Sequence, residues 1–389
     1  MKPVYIVSTK RTPMGALQGQ LSTFSATQLG GIAIKGCLEA AGLKKLEWID
    51  DVLMGCVLQA GLGQAPARQA SLAAGIPINV PATTISKVCG SGLRSVMLGA
   101  MSIQTGLSHL VVCGGMESMT NAPYLLQKAR AGYRMGHGEI KDHMFFDGLE
   151  DPYSNQTLMG VFAQKTADHY NFSRADQDKF ALQTYEKAKN AQENAEFLGE
   201  IVPVIFKDEP LTRDETLLKI KPEKIPTLRP AFSKDGTITA ASSSSIADGA
   251  AAILLASEEA LKEHNLTPLF KITGMSQHSH GPEWFTTAPV GAMKKLFDQL
   301  SLSPDQVDAF EVNEAFAVVT MAAIHDLKLP TEKVNQRGGA CALGHPIGAS
   351  GARILTTLCH LMQDKSYKTG MATLCIGGGE AVAIAIESV

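Results

Sequence analysis

An α/β fold built from two similar halves is what this sequence predicts, and three observations predict it. Strand-like apolar segments alternate with helix-period segments, the pattern of sheets covered by helices on both faces. One unit of that pattern is written twice. Glycine is frequent, at 36 of 389 residues, and aromatic residues make up only 6%, which suits tight turns and close backbone packing.

The first copy of the unit runs Cys89-Gly90-Ser91-Gly92, an apolar helical pattern from Leu93 to Thr105, a strand from Leu110 to Cys113, then Gly114-Gly115-Met116-Glu117. The second runs Gly348-Ala349-Ser350-Gly351, a helical pattern from Ala352 to Met362, a strand from Met371 to Ile376, then Gly377-Gly378-Gly379-Glu380. A further strand precedes each, Ile49 to Gly55 and Val307 to Val312. The doubling implies two halves related by a pseudo-twofold axis, and the alternation implies parallel sheets. Met1 to Val7 reads as the first strand, and Asp248 to Leu255 as the last strand of the first half. Between Met119 and Ala240 the pattern loosens, with many charges and short apolar runs. One helix stands out there, from Ser173 to about Ala195, with Ser173 as N-cap and Asp176 as its capping partner. Pro203, Pro210, Pro222, Pro226 and Pro230 then punctuate irregular backbone. The expected organisation is an N-terminal half of residues 1–118 with 247–268, an inserted loop region of 119–246 that covers or binds substrate, and a C-terminal half of 269–389.

A length of 389 residues exceeds one ordinary core, and 45% hydrophobic with 19% charged residues suits a large folded interior. The net charge of −3 gives no reason to expect nucleic acid or a membrane surface as partner. Seven cysteines, an odd count with no CxxC, read as a reduced intracellular protein, hence a cytoplasmic location. No signal peptide, membrane span or peroxisomal C-terminus is apparent. Gly90-Ser91-Gly92-Leu93-Arg94-Ser95 lacks the third glycine of a dinucleotide fingerprint, no P-loop occurs, and histidine–cysteine spacings fit no zinc site. His278 and His280 read as loop residues rather than ligands.

Two cysteines and a histidine, each set among glycines, suit acyl transfer through a thioester: one thiol carries the acyl group while the imidazole and the second thiol move protons. Cys89 opens a helix, where free N–H groups and the dipole favour a thiolate. Lys87 beside it is a second anion-attracting group or simply solvated. His345 sits in a loop fixed by glycines and Pro346. Cys375 ends a strand, and Gly377-Gly378-Gly379 after it offers unobstructed N–H groups for an oxyanion. Cys113 has no second motif to pair with and reads as core. Asn313 directly follows a strand, where α/β sites form; its amide can hold a water or polarise a carbonyl, and it can also cap a helix.

With these pieces assembled, the chain resembles the thiolase family over essentially its whole length. The matching motifs are Lys87-Val88-Cys89-Gly90-Ser91-Gly92-Leu93, Gly114-Gly115-Met116-Glu117-Ser118, Leu228-Arg229-Pro230-Ala231-Phe232, Asp248-Gly249-Ala250-Ala251-Ala252, Asn313-Glu314-Ala315-Phe316, the run from Ala342 through Gly344-His345-Pro346 to Ala352, and the run from Ala372 through Cys375 to Gly379. The resemblance implies two βαβαβαββ halves in a layered αβαβα sandwich with an inserted loop domain. It implies that Cys89 carries the acyl group and that His345 lowers the thiol pKa and helps hold the thioester oxygen. Asn313 would fix a water, and Cys375 would be the acid/base at the acetyl methyl. The N–H groups of Cys89 and Gly377 would form an oxyanion hole. The N–H of Ser244 and the side chains of Met159, Phe232, Ala315 and Phe316 would line a pantetheine channel. Lys219, Lys221 and Lys224 are candidates for the phosphates of coenzyme A or are solvated.

The implied activity is acetyl-CoA C-acetyltransferase, making or cleaving acetoacetyl-CoA. A 3-ketoacyl-CoA thiolase of fatty acid metabolism is the alternative, and a noncatalytic subunit of the same fold a remote one. Acetyl-CoA, 3-ketoacyl-CoA and CoA would be substrates, with no permanently bound cofactor and no metal, in a homodimer or homotetramer. The condensing ketoacyl synthases, relatives by fold, use Cys-His-His or Cys-His-Asn, so Leu374-Cys375-Ile376 and Asn313-Glu314-Ala315-Phe316 favour a thiolase. Leu158 stands where many acetoacetyl-CoA thiolases have histidine, Ser242-Ser243-Ser244 replaces Asn-Ala-Ser, and Asn335-Gln336-Arg337-Gly338-Gly339 departs from Asn-x-Asn-Gly-Gly. These departures bear on acyl chain length and nucleotide binding, not on catalysis.

Overall fold

The structure, a computed structural model, describes residues 2–389. Its main strands are β1 (Val4–Arg11), β2 (Asp51–Gly55), β3 (Ala82–Ile85), β4 (Leu110–Ser118), β5 (Ala247–Ser257), β6 (Phe270–Ser279), β7 (Ala309–Val312), β8 (Thr369–Ile376) and β9 (Glu380–Ser388). The longer helices are α1 (Ala26–Ala40), α2 (Pro66–Ala73), α3 (Ser91–Thr105), α4 (Met159–Tyr170), α5 (Arg174–Glu193), α6 (Ala288–Leu300), α7 (Ala317–Leu327) and α8 (Ser350–Lys365). The strands run in the order β7-β8-β9-β6-β1-β5-β4-β2-β3, and the short strand Gly15–Ala16 also pairs with β5. The two halves meet at β1 and β6 through only Tyr5 opposite Lys271 and Ile6 opposite Phe270.

Apolar side chains decide the layering. Leu29, Ala33 and Ile34 of α1 and Ala67 and Ala70 of α2 pack on Val52, Val112 and Leu254, covering one face of the first half. Met293, Leu296 and Phe297 of α6 and Ala323 of α7 cover Phe310, Val312 and Ala383 of the second. Helices α3 and α8 fill the space between the halves, with Leu93, Val96, Leu355 and Leu358 packed against Val111, Ile253, Leu374 and Ile384. The result is the α-β-α-β-α sandwich. The central pair approaches closely because it crosses on glycine: a Cβ on Gly351 would lie 2.3 Å from the Leu93 nitrogen, and one on Gly92 would lie 2.8 Å from the Ala352 nitrogen.

Several expectations need correction. The sheet is mixed, not parallel: only β2 with β3, β2 with β4 and β7 with β8 run parallel. Strand β8 returns directly into β9 through Gly377–Gly379, and so short a connection permits only antiparallel pairing. In the first half, β4 continues through Gly114-Gly115-Met116-Glu117 rather than turning there. These glycines serve close approach, since Cβ atoms would meet Ala251 O at 2.2 Å and Gly348 O at 2.1 Å. The helix α5 has Ser173 as N-cap and Asp176 completing the capping box, as expected. Helix α4 was not foreseen. Its first turn, Met159-Gly160-Val161-Phe162, carries no side-chain cap, so no capping signal marks its start. His278 lies within β6 rather than in a loop.

Candidate active site

The Cys89 turn of the first half meets the loops carrying His345 and Gly377 of the second at one cavity. Cys89 lies just before α3, in a turn closed by Gly90 N to Lys87 O at 3.0 Å and Ser91 N to Val88 O at 3.1 Å. The Ser91 hydroxyl accepts from Lys87 N at 2.8 Å and donates to Val88 O at 2.7 Å. Val88 sits at φ +45, a left-handed conformation that a β-branched side chain resists, at a cost of about 1–3 kcal/mol. The strained strand-to-helix turn presents the cysteine, as nucleophile elbows do. A Cβ on Gly90 would fall 2.4 Å from Ile376 Cδ1, so the buried isoleucine packs directly against this turn.

Cys89, His345 and Gly377 line one cavity of about 260 Å³, together with Met159, Phe232, Ser244, Ala315 and Phe316. Apart from Ser243 the rest of the wall is apolar: Val88, Phe145, Gly148, Leu149, Gly160, Ile246, Phe285 and Ile347, none of them marked in the sequence as wall residues, and Leu158, whose bearing on chain length was expected. A second space of about 210 Å³ adjoins it, sharing Val88, Gly148, Met159 and Gly377, and is lined also by Asp147, Glu150, Asp151 and Tyr153.

Each reactive group is tuned by this setting. Burial pushes the Cys89 thiol up to about 11, while the N–H groups of Gly377 and Cys89, directed at the sulfur, pull the other way. The expected helix-terminus thiolate is therefore not the resting form: α3 starts two residues later, and apolar walls outweigh its dipole. Burial, with Arg353 adding to it, pulls His345 down to about 3, so the ring is neutral at rest and does not act as a cation on the thiol. His345 Nδ1 meets Ser350 Oγ at 2.5 Å, and Nε2 is buried without a partner. Cys375 is buried among Phe162, Phe285 and Val319, and burial, then the neighbouring Cys89, holds its thiol well above the ordinary value. Asn313 is buried, and both of its amide atoms lack a partner. It does not cap α7, whose N-cap is Phe316, so its side chain is free for a ligand or a water. Cys113 lies in the core, as expected. The Ser244 N–H donates to Ala315 O at 3.0 Å, so that N–H is not a free donor to substrate; only the residue's place in the wall holds.

Three glutamates, none of them marked as an anchor in the sequence, position the turns. Glu117, buried, accepts from Val57 N at 3.0 Å, Leu58 N at 3.1 Å and Gly348 N at 2.9 Å, tying the first half to the loop that carries His345. Its counterpart in the repeat, Glu380, pairs with Lys87 beside Cys89, so Lys87 is an ion-pair member rather than a free cation. Each half thus anchors the other's turn. Glu314 accepts from Thr184 Oγ1 at 2.8 Å, Asn335 Nδ2 at 2.8 Å and Cys341 N at 3.1 Å, fixing the loop after Asn313. An acid inside a glycine-rich or apolar run was the available signal for all three. Lys219 pairs with Glu215 at 2.7 Å, and among the described residues no group of three histidine, cysteine, aspartate or glutamate side chains is arranged to hold a metal. No helix among the described residues is long and apolar enough to cross a membrane.

The raised thiol has a measurable consequence. Below its pKa, the thiolate fraction of Cys89 grows tenfold per pH unit, so its alkylation by iodoacetamide is expected to keep accelerating beyond about 8.5, where an ordinary cysteine levels off. Inactivation followed against pH checks this; a plateau below about 8 would mean a stabilised thiolate instead.

Comparison with known proteins fits this geometry. The family model "Thiolase, N-terminal domain" matches residues 4–259, and "Thiolase, C-terminal domain" matches residues 266–388. A probable acetyl-CoA acyltransferase of Staphylococcus aureus (strain COL) is 46% identical over 393 residues, covering 100% of this chain and 99% of that protein. Three solved structures superpose closely. The Acat5 thiolase from Ascaris suum in complex with coenzyme A is 42% identical with TM-score 0.95, covering 100% of each chain. The Bacillus anthracis acetyl-CoA acetyltransferase is 37% identical with TM-score 0.96, covering 100% of this chain and 99% of that one. Human mitochondrial 3-ketoacyl-CoA thiolase in complex with CoA is 38% identical with TM-score 0.96, covering 100% and 98%.

Proposed function

The chain belongs to the thiolase family and is an acyltransferase; within that premise we propose that it makes or cleaves acetoacetyl-CoA by ping-pong transfer through a thioester on Cys89. The observation that carries this reading is the joining of a reactive-turn cysteine and an imidazole with a bare Nε2 on one apolar cavity, with Cys375 as the sulfur's neighbour. In thiolysis, the Cys89 proton passes to His345 Nε2 and the sulfur attacks the 3-keto carbon. The bond between C2 and C3 breaks, acetyl-CoA leaves as its enolate, and the Cys375 thiol protonates that carbon. Free CoA then takes the acyl group from Cys89, its thiol proton going to the Cys375 thiolate, and His345 returns its proton to Cys89. The raised Cys375 thiol suits this acid, since it stays protonated until an enolate needs the proton. The N–H groups of Cys89 and Gly377 aim at the sulfur and would receive the oxyanion of the Cys89-bound tetrahedral intermediate. Asn313, with no partner for its amide, would hold a water beside the second carbonyl. Residues 119–246 act as the substrate-binding domain, supplying Leu158, Met159, Phe232 and Ser244 to the wall. Coenzyme A and acyl-CoA are substrates rather than bound cofactors, and the protein works as a homodimer or homotetramer in the cytoplasm.

A second reading, thiolysis of longer 3-ketoacyl chains, is favoured by the adjoining space next to Gly377. Three carboxylate residues on its wall make that space a poor host for a long apolar tail. Thiolysis rates for 3-ketoacyl-CoA from four to sixteen carbons decide between the two. The expected result is a rate concentrated at four carbons; one that holds or rises toward sixteen assigns the protein to longer chains.

A further inference from the structure

We infer that Ser350 is a positioning residue for His345: its hydroxyl oxygen accepts from Nδ1–H, which turns an unprotonated Nε2 toward Cys89. The inference rests on the thioester reading above for the use made of Nε2, and on geometry for the rest.

Ser350 is fully buried at the first position of α8, five residues after His345. Its Oγ lies 2.5 Å from His345 Nδ1 and 2.9 Å from Pro346 O. A hydroxyl has one proton and two lone pairs, and an imidazole nitrogen either donates or accepts. If the proton lies toward Pro346 O, Ser350 accepts from Nδ1–H and Nε2 carries a lone pair. If it lies toward Nδ1, Nε2 carries the hydrogen and cannot take a proton. The Pro346 carbonyl also receives the amides of Ala349 and Ser350, each at 2.9 Å, so it is a site where donors already gather.

The proton count of the acylation step selects the first arrangement. The Cys89 S–H proton moves to Nε2, leaving a thiolate whose electron pair forms the bond to the acyl carbon. The imidazolium that results keeps Nδ1–H on the same serine oxygen, so one hydrogen bond serves the ring before and after proton uptake. A serine that donated to Nδ1 would lose that bond at the moment of transfer. The His345 amide, held by Ser245 O at 2.9 Å, and Gly344 at φ +99 fix the backbone, leaving the ring's orientation to Ser350. Serine at this place is part of the repeated Ser-Gly unit, and its counterpart Ser91 holds the Cys89 turn in the same fashion.

The test compares Ser350→Thr with Ser350→Val, which add nearly the same volume and differ in the hydroxyl. The readout is the iodoacetamide alkylation rate of Cys89 at about pH 6, where free thiolate is scarce and proton transfer to His345 carries the reaction; it needs no acyl-CoA, so the inference stays readable even if acetyl transfer fails. The expected result is that Ser350→Thr alkylates roughly 10- to 100-fold faster than Ser350→Val, a share of what a positioned general base contributes. The difference should vanish when both changes are made on His345→Ala. Where neither bulkier variant folds, Ser350→Ala against the wild type, with and without His345→Ala, forms the same cycle. Equal rates for the hydroxyl-bearing and hydroxyl-free variants, or a difference that persists without His345, would overturn the inference.

Discussion

Cys375→Ser is expected to acetylate on Cys89 at close to the normal rate and to lose carbon–carbon bond formation and cleavage by roughly 10²- to 10⁴-fold, the range of a general acid or base. The two halves of the reaction separate because acetyl exchange forms no enolate, so Cys375 stays protonated and His345 alone passes the proton between Cys89 and the CoA sulfur. Cys89 projects from a strained turn into the cavity, whereas Cys375 ends β8 in an apolar cluster behind it. A serine hydroxyl is a far weaker acid than a thiol and will not protonate the enolate on the reaction's time scale. The fold should be untouched, since serine is smaller than cysteine and the strand's pairing with β9 uses only backbone. Acetyl exchange between acetyl-CoA and CoA measured beside acetoacetyl-CoA cleavage resolves the two activities. Condensation at the wild-type rate would remove Cys375 from the chemistry.

Cys89→Ala is expected to abolish both activities, by on the order of 10⁴-fold or more, as loss of a covalent nucleophile does elsewhere. No other described thiol can take its place: Cys37, Cys56, Cys113, Cys341 and Cys359 are all buried, and Cys375 lies in its apolar cluster. The turn itself should persist, because it is held by Ser91 and by the backbone bonds of Gly90, none of which involves the sulfur. Thermal unfolding close to that of the wild type, with activity gone, is the expected pair of results.

Much of the site was legible because repetition and glycine leave a visible pattern. The Ser-Gly pairs that open α3 and α8 mark the crossing at Gly92 and Gly351, and the reactive side chains lie in the turns around it. Direction of strands was not legible, since β4 reads identically whether its neighbours run with it or against it; β9, antiparallel to β8 after Gly377–Gly379, had no place in the alternation of strands and helices. Protonation was not legible either, because it is set by the same apolar walls that enclose the site. Cys89 near a helix start suggests a thiolate, but the walls that raise its pKa come from Phe145, Leu158, Phe232 and Phe316, distant in sequence. The cross-anchoring glutamates were likewise invisible as anchors. Glu117 and Gly348 are apart in the chain, and the bond between them exists only because the halves pack face to face.

The chemistry turns on a thioester at Cys89. Brief incubation with radiolabelled acetyl-CoA, acid quenching, digestion and mass spectrometry tests it most directly. The expected label is on the peptide containing Cys89, released by CoA and absent from Cys89→Ala. Active enzyme that carries no covalent acetyl group, or carries it on Cys375, would contradict it.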